Sequence, residues 1–323
     1  MKKSYYCKKI EETIHFLPDK IKFCCSCAEG PGVVIKDSST IDKREIQNEK
    51  NKIIKSLQKG IIPKECAGCV EVKEKSNSSF FEKLFEKPIE KKIKHIIIDH
   101  YKQCDCSCVY CSQKILYPNI IQNYEILPII KQMYKYNMFD EDVMVEFQGG
   151  NISMLKEFDA LIDEFSKNKC KHFHILTNGI KNMQTLEKIA NKTKCEICIS
   201  LDCGTSETFA KIKSVDAFNQ TIQNIKRLDE CKHSHIKLKY IIIEGINDNI
   251  QEIKKFLEIA KSLKKVECAI LEIDYRDILI NKKDDYKVPK HYIELFKFAE
   301  EYCNNNNLQF FVLDFVKSFL IEK

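Results

Sequence analysis

The chain has 323 residues, 44% of them hydrophobic, with 53 basic and 47 acidic side chains and a net charge of +6. That is enough apolar material for one barrel-sized domain and a small accessory part. Lys and Glu are interleaved rather than blocked, so no basic arm argues for nucleic acid, and no apolar run nears the ~20 residues that span a bilayer.

The N-terminal run MKKSYYCKKIEETIHF has no apolar signal region, which predicts a cytoplasmic protein. In such a protein 17 cysteines point to metal or redox chemistry rather than disulfides. The first 75 residues hold Cys7, Cys24, Cys25, Cys27, Cys66 and Cys69. Between them SSTIDKREIQNEKNKIIKSLQKG predicts a helix capped by Ser39 or Thr40 and ended by Gly60. This helix leads to Cys66-x2-Cys69, while the strand-like DKIKFCC presents Cys24. Cys7, Cys24, Cys66 and Cys69 then form a candidate metal set, with Cys25 or Cys27 able to replace Cys24. An auxiliary 4Fe–4S cluster is the first reading, a structural zinc the second, and redox-active or unligated thiols the third. Residues 76–92, rich in Lys and Glu, read as a linker.

From residue 93 strand-like and helix-like patterns alternate. KHIIIDHY, DVMVEFQGG, HFHILTNG, CEICISLDC, IKLKYIIIEG and VECAILEIDY predict six strands. Between them lie helical patterns, including residues 119–136 and a run from Ser153, which is a candidate N-cap. Strands apolar on both faces imply a parallel sheet covered by helices, with right-handed crossovers. A doubly wound sheet and a partial barrel both satisfy this pattern. Polar and glycine features fall at strand C-terminal ends, the ligand-binding edge in either architecture. Residues 286–323 form a helical and strand extension.

The first predicted strand leads into CDCSCVYC, in which Cys104, Cys108 and Cys111 follow a Cys-x3-Cys-x2-Cys spacing. Three thiolates can hold three irons of a 4Fe–4S cube and leave the fourth open. Cys106 adds a fourth thiol, so a zinc loop, or no metal, is the competing reading.

This spacing, with Tyr110 before the last cysteine, resembles the signature of the radical S-adenosylmethionine (radical SAM) superfamily. The likeness covers about residues 93–280. It implies an α/β fold, a partial (β/α)6 TIM-like barrel over 93–285, with residues 1–75 resembling the SPASM and twitch accessory domains. It implies that Cys104, Cys108 and Cys111 are catalytic cluster ligands. Gly149, Gly150 and Asn151 resemble the family's Gly-Gly-Glu motif, which holds the SAM amino group. Here Asn replaces Glu, so a carbonyl oxygen without charge is the expected acceptor. Tyr110, Asn178, Ser200 and Asp202 are further cofactor-binding candidates on the same grounds. The resemblance implies SAM cleavage to a 5′-deoxyadenosyl radical, hydrogen abstraction from a substrate, and a flavodoxin- or ferredoxin-like electron donor. A peptide or protein is the first substrate reading. Alternatives are a small molecule or sugar, glycyl-radical activation, or a non-catalytic iron–sulfur or zinc protein. His95, His100, His172 and His174 read as packed or hydrogen-bonded residues. Cys170, Cys195, Cys198, Cys203, Cys231, Cys268 and Cys303 read as small hydrophobes.

Overall fold

The structure, a computed structural model, describes residues 3–24, 32–34, 41–69, 71–74, 91–111, 113, 124–181, 183–274, 276, 288–312 and 317. It divides into two units: residues 1–102, 120–149 and 155–173, and residues 103–119, 150–154 and 174–323.

The first unit contains β1 (Tyr5–Tyr6), α1 (Lys8–Glu12), β2 (Thr13–Phe16), β3 (Lys20–Lys22), β4 (Gly32–Val34), α2 (Lys43–Gln58), β5 (Lys73–Glu74), β6 (Ile93–Ile98), α3 (Ile126–Lys135), β7 (Phe139–Phe147) and α4 (Phe158–Lys167). Its main strands lie in the order β4-β3-β2-β6-β7. The β2–β6 and β6–β7 pairs are parallel, and β2–β3 and β3–β4 are antiparallel. Ile96, Ile97 and Ile98 are all buried, as a strand covered on both faces requires.

A separate cysteine-rich domain over 1–75 is not shown; described N-terminal strands join the main sheet. Ile14 and Phe16 of β2 are buried, and β2 runs parallel beside β6. Strands β2, β3 and β4 thus extend the sheet. In α2, Ile46, Lys50, Ile53 and Leu57 are buried at helical spacing. Its N-cap is Asp42, whose carboxylate accepts from the Arg44 and Glu45 N–H groups. The expected caps Ser39 and Thr40 lie outside the described residues. Gly60 does end the helix, at φ +82°, and a Cβ there would lie 2.4 Å from the Lys3 carbonyl oxygen.

The second unit completes β8 (His172–Thr177) and holds α5 (Met183–Ala190), β9 (Lys194–Ser200), α6 (Ser206–Lys213), α7 (Phe218–Asp229), β10 (Ser234–Ile242), α8 (Ile250–Lys261), β11 (Val266–Ile273), α9 (Lys290–Asn305) and β12 (Gln309–Val312). Strand order is β8-β9-β10-β11-β12, with β9–β10, β10–β11 and β11–β12 parallel. Thr205 caps α6 and Asn249 caps α8, each accepting from a backbone N–H in the first turn. All six strands expected from residue 93 onward are present, as β6 to β11. The fold is α/β and built on parallel strands, as expected of the partial-barrel class.

Candidate active site

The loop of residues 104–111 is held from below by the end of α6. The Ser107 N–H donates to the Lys213 carbonyl at 3.0 Å and the Val109 N–H to the Ile212 carbonyl at 2.9 Å. The Ser214 hydroxyl donates to the Ser107 carbonyl at 3.0 Å. At the loop's start the Asn151 N–H donates to the Gln103 carbonyl at 2.9 Å. A Cβ on Gly150 would lie 1.9 Å from that same carbonyl oxygen, so the backbones approach as only glycine permits. Gly149, in the first unit, has φ +103°, and a Cβ there would lie 2.5 Å from Asp99 Oδ1 and the Tyr101 carbonyl oxygen.

Cys104 is exposed, Cys108 and Cys111 are half-buried, and Cys106 is buried. The Cys106 thiol is pushed up because its proton is shared with Cys104 and Cys108. The same contacts pull Cys104 down, and Cys108 down to about 6, with the Lys213 ammonium assisting at Cys108. Cys104, Asp105 and Cys106 offer donor atoms within 4.8 Å of one another. This trio is not the expected set of Cys104, Cys108 and Cys111, and thiolates at different corners of a cube stand wider apart than donors to a single ion.

Asp105 is the hub of a polar network. Asn151 Nδ2 donates to its Oδ1 at 3.1 Å, and Asn178 Nδ2 to the same oxygen at 2.7 Å. The Ser153 hydroxyl donates to Oδ2 at 3.2 Å. Asn178 also reaches Cys106 Sγ at 3.2 Å and Cys104 Sγ at 3.9 Å. The Asn151 carbonyl oxygen accepts from Thr177 Oγ1 at 2.9 Å and from the Asn178 N–H at 3.2 Å. Backbone N–H donors to Asn151 Oδ1 and Asn178 Oδ1 fix both amide orientations. Ser153 does not cap a helix. It sits in the turn Ile152–Met154, while α4 begins at Phe158 after Glu157.

Asp202 and Lys213 form the buried floor, each side chain 1% exposed or less. Lys213 contacts Asp202 Oδ2 and donates to the Tyr110 hydroxyl at 2.9 Å; Tyr110 donates to Asp202 Oδ2 at 2.6 Å. Burial pulls Lys213 down, but Asp202 and Cys108 outweigh it, so its ammonium is held above the usual value. Burial, with Asp202 next, raises Tyr110. Asp202 sits at φ +62°, a left-handed backbone. It is pinned there by the Ile241 N–H on Oδ1 at 2.9 Å and by Asn247 Nδ2 on its carbonyl at 2.8 Å. Ser200 is half-buried at the end of β9.

The N-terminal cysteines are placed differently. Cys7, Cys24 and Cys66 are buried and Cys69 is half-buried, but no group of three that includes them lies within single-ion reach among the described residues. A second cluster is not shown. Cys25 and Cys27 lie outside the described residues. His95 bonds Glu146 at 2.9 Å, and His100 lies 3.8 Å from Glu157.

The Radical SAM superfamily model matches residues 98–259, half of the chain, and this span includes the cysteine loop. The chain belongs to the radical SAM superfamily. A GTP 3′,8-cyclase from Clostridium acetobutylicum is 28% identical over 163 residues, 48% of this chain and 49% of that protein. One from Helicobacter pylori is 27% identical over 160 residues, covering 48% and 49%. The chain thus matches about half the length of these curated relatives. Among solved structures, Streptococcus suis SuiB bound to precursor peptide SuiA aligns with a TM-score of 0.53 and 17% identity, covering 83% of this chain and 62% of that one. Native anSMEcpe with bound AdoMet and Cp18Cys peptide aligns at 0.51 and 19%, covering 67% and 62%. At these identities the structural likeness establishes the fold. As a radical SAM enzyme, the chain is of a family that uses a 4Fe–4S cluster and SAM.

Sequence reasoning missed Asp105, Ser153, Thr177, Lys213 and Asn247. Lys213 reads in sequence as one of the Lys residues on α6, and only the helix packing buries it. Asp105 carried a signal, being an acidic residue between two thiols, where it disfavours nearby negative charge unless it has other work.

Proposed function

We propose that this radical SAM enzyme reductively cleaves SAM at a 4Fe–4S cluster held by Cys104, Cys108 and Cys111, and takes hydrogen from a substrate carbon. The observation that carries this reading is the donor set: three accessible or half-buried thiols on one loop, beside the Asn178 amide. Such a set fits a cube that needs three thiolates. When bound, the cluster supplies one electron that breaks the SAM C5′–S bond and releases methionine and a 5′-deoxyadenosyl radical. The chain's own groups position the partners. Lys213 and Ile212 carbonyls clamp the loop, and Tyr110, Asp202 and Lys213 fix its floor. Asn178 reaches the Cys104 and Cys106 sulfurs and Asp105. A flavodoxin- or ferredoxin-like donor supplies the electron.

For the substrate, a peptide or protein is the first reading, in keeping with SuiB and anSMEcpe, both crystallised with peptides. The sequence relatives support a second reading, a nucleotide such as GTP. Cys7, Cys24, Cys66 and Cys69 are proposed as a second metal set, and iron content tests this: about eight irons per chain for two cubes, about four with zinc for the zinc reading.

The experiment is anaerobic reconstitution with iron, sulfide and dithionite, followed by assay of 5′-deoxyadenosine with and without GTP. Formation of 5′-deoxyadenosine is expected. None from a fully loaded protein would reject the reading. Stimulation by GTP selects the nucleotide substrate, and indifference to GTP removes it.

A further inference from the structure

We propose that Asp105 supplies the negative charge that receives the ammonium group of SAM, and that Asn151 serves to hold Asp105 in place. This rests on the SAM-cleaving reading above and names the residue that performs one part of it.

Asn151 stands where a glutamate would be expected in the Gly-Gly-x motif, and it cannot serve as the acceptor itself. Its one carbonyl oxygen already takes the Thr177 hydroxyl at 2.9 Å and the Asn178 N–H at 3.2 Å. Those two bonds use both lone pairs. The residue is 1% exposed, so no third partner reaches it. What Asn151 offers is its NH2, which donates to Asp105 Oδ1 at 3.1 Å and to the Ser153 hydroxyl at 2.6 Å, and that hydroxyl in turn donates to Asp105 Oδ2.

Asp105 has the complementary properties. Its side chain is 9% exposed, yet its carboxylate is set by neutral groups: the Asn151 amide, the Asn178 amide and the Ser153 hydroxyl. A Cys104 thiol contact at 3.9 Å is weak. The nearest cation among the described residues is Lys181, whose Nζ is 3.9 Å from Oδ2 and whose side chain is 64% exposed. A solvated lysine at that distance compensates a carboxylate poorly. Oδ2 accepts one hydrogen bond, from Ser153 at 3.2 Å, and so retains acceptor capacity for an ammonium. Asp105 also lies between Cys104 and Cys106, so the charge sits on the loop that presents the thiols. An ammonium bound there gains a charge-assisted hydrogen bond that Asn151 cannot give. Carboxylate and amide have therefore exchanged places: the amide is in the glycine motif and the charge is on the cysteine loop.

The test is SAM affinity of the anaerobically reconstituted protein, by equilibrium dialysis, against an analogue lacking the α-amino group. Iron content is measured on every sample. Asp105→Asn, nearly isosteric, is expected to weaken SAM about tenfold or more and to leave the deamino analogue unchanged. Adding Asn151→Glu to that variant is expected to restore SAM affinity. Unaltered SAM binding by Asp105→Asn, or equal weakening of SAM and the analogue at full iron content, would overturn the assignment. If wild type with full iron binds neither compound, the SAM-cleaving reading itself falls, and this assignment with it.

Discussion

The Lys213 ammonium contacts the Asp202 carboxylate where neither side chain meets solvent, and the Tyr110 hydroxyl closes the triangle. Both ends of this pair reach the cysteine loop: Tyr110 is part of it, and the Lys213 carbonyl takes the Ser107 N–H. The pair ties the strand end at Asp202 to the loop.

Removing one partner leaves a buried charge alone. Lys213→Met is expected to lower stability by about 3–5 kcal/mol. The double variant Lys213→Met, Asp202→Leu should lose clearly less than the two single losses summed, because the stranded charge is gone. Chemical denaturation of the four proteins checks this. Simple additivity would show that the two side chains do not act as a pair.

Ligation should follow the spacing and not proximity. Cys104→Ala, Cys108→Ala and Cys111→Ala should each prevent loading of a full cube. Cys106→Ala should keep about four irons at the loop, although its thiol lies within 4.8 Å of that of Cys104. Iron and sulfide analysis with Mössbauer spectra decides. Loss of the loop's iron in the Cys106 variant would exchange the roles.

Gly150 admits no side chain. A Cβ would fall 1.9 Å from the Gln103 carbonyl oxygen, a backbone atom that cannot turn aside. Gly150→Ala should reduce cluster loading several-fold while circular dichroism of the chain stays near wild type. Full loading at wild-type affinity for iron would mean that the loop moves at little cost.

Lys50 in α2 predicts a pH effect. It is buried under Phe23, its ammonium 5.6 Å from the ring centroid and 3.2 Å from the Glu11 carbonyl oxygen, and burial pulls it down to about 8. The unfolded chain binds this proton up to about 10.5, so between about pH 8 and 10.5 the unfolded state holds more protons than the folded one. Stability from this group therefore rises with pH across that window, and the penalty is fully present below it, at about 3 kcal/mol. Lys50→Met should raise stability at pH 7 by about 1–3 kcal/mol. The difference between variant and wild type should shrink toward pH 10. A constant difference across that range would assign the effect to packing.

The thiol loop and the six strands were legible because each is written locally. A spacing of three and two cysteines needs no partner elsewhere, and an apolar run reads as a covered strand wherever it lies. Asn178 and Asp202 were legible as strand-end polar residues. Lys213 was not, since its role comes from a contact to Asp202 made only when α6 folds back. Ser153 carried the sign of a helix cap, yet Asp105, 48 residues earlier, takes its hydroxyl. Strand β2 is four residues long and gains its meaning from pairing with β6. The surroundings of Asn151 were hidden for a related reason: sequence shows that an amide is present, but only the fold shows that its oxygen takes the Thr177 hydroxyl and the Asn178 N–H.

The scattered cysteines have a bearing on how the protein is assembled. Burial pushes Cys170, Cys198 and Cys268 up to about 11 and Cys303 up to about 12, and raises Cys195, Cys203 and Cys231. A thiol reacts with iron, oxidant or persulfide through its anion. At neutral pH these seven are therefore poor competitors for incoming iron and sulfide. Seven of the 17 thiols are thus kept out of the competition for metal by burial alone, which narrows the sulfurs that an incoming cluster can meet.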